Sequence, residues 1–117
     1  MSAGILAEMT SALIANLEKL LGTPRDGALL RFSLGSEYLK AGDAARGIEQ
    51  LREALLRDPQ YSAAWKALAR ALVDAGRASE AREAYAKGIE AARARGDRQA
   101  EKEMTVFARR LDKAAGA

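Results

Sequence analysis

Two basic residues four positions apart, Lys66 and Arg70, carry the most suggestive chemistry in this 117-residue chain. On one face of a helix, an ammonium and a guanidinium could hold a carboxylate or an acidic peptide through charge-assisted hydrogen bonds. The plainer reading is a solvated face with ordinary charges. Arg93, Arg95 and Arg98 form the densest basic cluster, with Arg109, Arg110 and Lys113 nearby. Phosphate contact is conceivable there. However, Glu90, Asp97, Glu101 and Glu103 alternate with these residues and no aromatic platform is interleaved, so nucleic acid is not the expected partner.

Catalysis has few resources. The chain has no histidine, the side chain most often used as a general base and the commonest metal ligand. It also has no cysteine, which removes disulfides and thiolate metal sites. Ser33, Ser36 and Ser62 therefore lack an activating partner. Many carboxylates fall near bases on the same helix, as Glu53 does to Arg57 and Glu83 to Lys87. Such pairs support a helix by a few tenths of a kcal/mol each, roughly. Gly42 to Gly47 has the two-glycine spacing of a phosphate loop, but Ile48-Glu49 follows where lysine and a hydroxyl are needed. No catalytic residue, metal or cofactor is expected, and the chain reads as a non-enzyme.

What must position these residues is a set of helices. The apolar share is 49% and the charged share 30%, as in globular proteins, while alanine is abundant and prolines number only two. The apolar stretch from Ile5 to Leu21 lacks a basic leader and carries Glu8, Glu18 and Lys19, so neither a secretory signal nor a membrane span is expected. A cytoplasmic setting is the default expectation. The net charge of +3 is mild for a nucleic-acid binder, and its excess lies in the second half.

The chain also repeats itself. Aligning Arg31–Pro59 with Trp65–Arg93, an offset of 34, places Leu34 on Leu68, Ala41 on Ala75, Gly42 on Gly76, Ala44 on Ala78 and Glu49 on Glu83. A fixed period of this size marks stacked helix–turn–helix units. Caps and breakers predict six helices. The first runs from Ala3 to Leu21. The second starts at the Thr23-Pro24 cap and runs to Ala41, and the third covers Ala44–Arg57 behind Asp43. The fourth covers Ser62–Ala75, the fifth Ala78–Arg95 up to Gly96, and the sixth runs from the Asp97 cap to Lys113. In the sixth, Ala100, Met104, Phe107 and Leu111 share one face.

Leu34-Gly35-x-x-Tyr38, Gly42-Asp43, Ala54 and Asp58-Pro59, and then Trp65-x-x-Leu68-Ala69-x-x-Leu72, Gly76, Ala81, Tyr85 and Gly88, resemble two tetratricopeptide repeats. The resemblance covers residues 28–95. It implies an all-α antiparallel helix-hairpin solenoid with no catalytic site. The expected organisation is a single domain: an N-terminal helix at 1–22, repeats at 28–61 and 62–95, and a C-terminal capping helix at 97–114. Arg31 departs from the pattern where an aromatic is favoured, Gly47 where alanine is, and Arg93 where proline is. The last departure implies a fifth helix that continues past the usual stop.

The family's first helices line a concave groove for an extended or helical peptide. The resemblance therefore places partner binding on Leu29, Phe32, Ser36, Leu39 and Lys40 of the first repeat, and on Lys66, Arg70 and Val73 of the second, with Ala63 beside them. The expected partner is a protein or peptide, with an acidic one favoured by Lys66 and Arg70. A chaperone-tail clamp is not expected, since Asn16 is the one asparagine and lies outside both repeats. In the first helix Ile5, Leu6, Met9, Leu13, Ile14, Leu17, Leu20 and Leu21 cover roughly half the circumference, wider than a single contact needs. Either that helix lies between two neighbours and covers the groove end, or part of the stripe pairs with a second copy as a homodimer.

Overall fold

A computed structural model describes residues 3–116 of the chain. They form six helices and, among the described residues, no strand: α1 Ala3–Glu18, α2 Ala28–Lys40, α3 Ala44–Arg57, α4 Ser62–Asp74, α5 Ala78–Arg95 and α6 Arg98–Gly116. The chain divides into two compact units, Met1–Arg57 and Asp58–Ala117.

In the first unit α2 and α3 form an antiparallel hairpin. Its turn places Gly42 at φ 83°, a left-handed conformation that L side chains rarely adopt, and lets Asp43 N–H reach the Tyr38 carbonyl at 2.9 Å. The Asp43 carboxylate then accepts from Arg46 N–H at 3.1 Å and caps α3. Leu34, Leu51 and Ala54 are wholly buried between the helices. Gly35 and Gly47 let the backbones close in: a Cβ on Gly35 would stand 3.0 Å from the Gly47 carbonyl oxygen. In α1, Glu18 accepts a 2.7 Å hydrogen bond from the Tyr38 hydroxyl, tying the end of that helix to α2.

The second unit repeats the turn 34 residues on. Gly76 has φ 75°, and Arg77 N–H reaches the Leu72 carbonyl at 2.8 Å. Leu68, Ala69, Leu72, Ala81 and Ala92 are buried between α4 and α5, and α6 packs along α5 and part of α4 through Met104, which is wholly buried. Asp97 caps α6 by accepting from Ala100 N–H and also accepts from the Ser62 hydroxyl, at 3.1 Å in each case. α5 has 18 residues against 14 for α3, so it does run past the point where its counterpart stops.

Several helix bounds differ from expectation: α1 stops at Glu18 rather than Leu21, α6 runs on to Gly116 rather than Lys113, and the largest difference is the start of α2. Thr23-Pro24 does not open a helix; α2 begins at Ala28 after an extended Gly27 (φ −169°, ψ −172°). Beyond Glu18 the chain instead makes successive turns, in which the Thr23 hydroxyl donates to the Leu20 carbonyl at 2.6 Å. The Asp26 carboxylate accepts from Gly22 N–H and grips Arg31, each contact at 2.9 Å.

That grip explains Arg31. Its guanidinium bonds both Asp26 oxygens and reaches Gln50 of α3 at 3.1 Å. At the equivalent place 34 residues later, the Trp65 indole donates to the Pro59 carbonyl at 2.7 Å. In both units the early first-helix residue ties its helix back to the preceding turn. The arginine does so with a bidentate ion pair, the tryptophan with one hydrogen bond and a larger apolar body.

Candidate functional site

Helices α2 and α4 carry the expected binding residues. On α2, Leu29 is 69% exposed, Phe32 and Ser36 are half-buried, and Lys40 is exposed. The Ser36 hydroxyl donates to the Phe32 carbonyl at 2.9 Å, and Lys40 pairs with Glu37 at 3.1 Å. Leu39 has a second role. A Cβ on Gly47 would stand 2.7 Å from both its Cγ and Cδ2, so the leucine fills the space that a side chain at 47 would take. Much of its apolar surface is therefore used within the α2–α3 hairpin.

On α4, Lys66 already holds a carboxylate, and it belongs to the same chain. Its Nζ lies 2.6 Å from Glu103 of α6, which also accepts from Gln99 at 3.0 Å. Lys66 first and Gln99 second hold the Glu103 carboxyl below the usual carboxylate range. Lys66 thus fastens α4 to α6. Arg70, one turn on, is exposed, and among the described residues no carboxylate lies within ion-pairing distance of it. Val73 is 37% exposed beside it.

Arg70 and Val73 open onto a cavity of about 450 Å³ within the second unit. α4 contributes Asp74 as well, α5 contributes Tyr85, and α6 contributes Phe107, Arg110, Leu111 and Ala114. The Tyr85 and Phe107 rings stack at 6.3 Å between centroids and 27° between planes, and the Arg110 guanidinium sits 5.8 Å from the centre of Phe107. Burial pushes the Tyr85 hydroxyl above its usual value, with Arg70 opposing and Asp74 reinforcing the shift. The cavity therefore combines an aromatic wall and aliphatic sides with two guanidiniums and the Asp74 carboxylate.

Of these lining residues, sequence reasoning assigned only Arg70 and Val73 to binding. Phe107 and Leu111 were visible as one apolar face of the last helix, but as cover for the repeat. The missing signal is geometric: α6 lies close to α4 near Lys66 and leaves space beside Arg70. Among the described residues no group of three acidic side chains converges as a metal site would require, and no helix is long and apolar enough to cross a membrane.

A profile of the tetratricopeptide repeat matches residues 38–101, more than half of the chain. The chain is a member of the tetratricopeptide repeat family. A TPR repeat-containing protein of Pseudomonas aeruginosa is 52% identical over 102 residues, which span 87% of this chain and 97% of that protein. The solution structure of a protein from Bordetella parapertussis is 42% identical with a TM-score of 0.75, covering 86% of this chain and 88% of that one. A tetratricopeptide repeat domain protein from Salinibacter ruber is 28% identical with a TM-score of 0.72, covering 77% and 90%. Tetratricopeptide repeats are generally protein–protein interaction modules and generally non-catalytic.

Proposed function

We propose that this tetratricopeptide repeat protein is a non-catalytic module that binds a segment of a partner protein on the outer faces of its first-position helices. In the second unit the contact residues are Arg70 and Val73 with the cavity beside them, and Lys66 positions α6 as well as facing the partner. In the first unit the residues are Leu29, Phe32, Ser36 and Lys40, together with the part of Leu39 that Gly47 does not take up. One observation carries the reading: Arg70, with no carboxylate within ion-pairing distance among the described residues, lines a cavity that also holds Val73, Phe107 and Leu111. An unpaired guanidinium there is ready to bond an incoming carboxylate without first breaking a contact.

A photo-reactive amino acid at Val73, compared with one at exposed Glu83 on α5, tests this in cells. A partner protein cross-linked from position 73 and not from 83 supports the reading. Equal cross-linking from both positions, or none from 73, overturns it.

A second reading has its own observation. Ile5, Leu6, Met9 and Leu13 of α1 are between 43% and 57% exposed, an apolar stripe on one helix. Self-association through this stripe would make the chain a homodimer. Sedimentation equilibrium decides: dimers that become monomers when residues 1–16 are removed support it, and a strict monomer at high micromolar concentration ends it.

A further inference from the structure

We propose that the outward face of α6 is a second docking surface, and that its partner is an acidic helical segment of a protein. The proposal rests on the reading of this chain as a protein-binding module, but it concerns a different helix face. In sequence α6 mixes five basic residues with three acidic ones. In the folded chain the two signs separate. Each acidic residue is bonded to a cation of a neighbouring helix: Glu101 to Arg93 of α5 at 3.1 Å, Glu103 to Lys66 of α4 at 2.6 Å, and Asp112 to Arg82 of α5 at 3.0 Å. All three carboxylates are thereby paired within the chain, Glu101 and Glu103 partly covered and Asp112 still largely exposed.

The bases are left outside. Arg98, Lys102, Arg109 and Lys113 are all exposed, and among the described residues none has a carboxylate within ion-pairing distance. At 100° per residue they fall within an arc of about 60°. Their first and last members are about 22 Å apart along the axis, at 1.5 Å per residue. Val106, 44% exposed, borders the arc near its middle. The result is a one-sided cationic stripe with an apolar point beside it.

The spacing selects the occupant. The cations are four, seven and four residues apart, a pattern that reads the same in either direction. A partner helix has the same rise, so carboxylates spaced four, seven and four residues apart meet the stripe in parallel or antiparallel register. A nucleic acid fits less well. Tight sites neutralise roughly six to ten phosphates, and no aromatic ring lies on this arc. Of the further cations nearby, Arg110 lies off the arc over the Phe107 ring, and Arg93 and Arg95 are held by Glu101 and Asp58.

The test uses the full chain and a labelled, alanine-rich peptide with glutamates spaced four, seven and four residues apart around a central leucine. Its glutamine counterpart and a 16-base-pair DNA duplex serve as comparisons. Expected is saturable binding of the glutamate peptide at low salt, weakened at least about tenfold by the glutamine exchange. Combined Arg98→Glu, Lys102→Glu, Arg109→Glu and Lys113→Glu substitution should weaken it by a similar factor. Because none of the four residues holds another part of the chain, circular dichroism and melting should be unchanged; the four alanine substitutions replace the reversals if they are not. Equal binding of the glutamine peptide, unaltered binding by the substituted chain, or tighter binding of DNA overturns the proposal. Cross-linking from Val73 does not depend on α6's outer face, so its persistence in that event leaves the α4 reading standing.

Discussion

Gly88→Ala should destabilise the second unit, although glycine to alanine inside a helix ordinarily stabilises. Gly88 lies mid-way along α5, where alanine is favoured by about 1 kcal/mol. A Cβ there would stand 2.5 Å from Sδ of Met104 and 2.7 Å from Cβ of Trp65. The methionine has flexible torsions but is wholly buried, with no vacant direction to take. The tryptophan Cβ is fixed to the α4 backbone, so relief requires α4 and α5 to move apart. Overpacking of this kind costs about 1–3 kcal/mol, and the larger end applies where a backbone-linked atom is met. Set against the propensity gain, the net loss is about 1–2 kcal/mol, a melting shift of roughly 4–10 °C. Urea unfolding followed by circular dichroism measures it. Met104→Ala alone should cost about 2–5 kcal/mol. In the double variant the new methyl occupies part of the vacated volume, so the two losses sum to more than the double variant shows. A Gly88→Ala chain as stable as the parent would refute the three-helix contact.

Further outcomes follow from other contacts. Arg31 first, and Gly22 N–H second, hold the Asp26 carboxyl down to about 2 from its ordinary 3.8. The ionised form is favoured by folding, so its stabilisation is complete above the ordinary value and is lost as pH falls toward 2. Asp26→Asn should therefore flatten the fall in urea midpoint between about pH 4 and pH 2, and parallel profiles for the two chains would count against the Arg31 bridge. Leu34→Ala, at a position with no exposure, should cost about 2–5 kcal/mol, whereas Leu29→Ala at 69% exposure should stay within about 0.5 kcal/mol. A loss above about 1 kcal/mol at Leu29 would mean that this residue is part of the folded core. Lys66→Met should loosen α6 from α4, seen as faster amide exchange near Glu103, with α5 protected as before.

Much of the fold was legible because its signals are local. Asp43, Asp58-Pro59 and Gly96 lie next to the helix ends they set, so the bounds of α3 and α5 read correctly from neighbouring residues. The 34-residue period placed both glycine turns. Thr23-Pro24 misled because the deciding contact is not adjacent: Arg31 draws Asp26 out of a helical first turn, and the extended Gly27 delays α2. The cavity beside Arg70 was hidden for a similar reason. Periodicity gives α6 an apolar face, but not where that face stops covering α4. The acids and bases of α6 alternate in sequence and separate only when Arg93, Lys66 and Arg82 claim the acids.

The account turns on Arg70 as a recognition residue rather than a solvated surface charge. With the partner obtained by cross-linking from Val73, calorimetric titration of the parent chain and of Arg70→Glu tests this directly. The expected result is an affinity loss of at least about tenfold, or about 1.4 kcal/mol, with melting temperatures that coincide. Equal affinities for the two chains would contradict it.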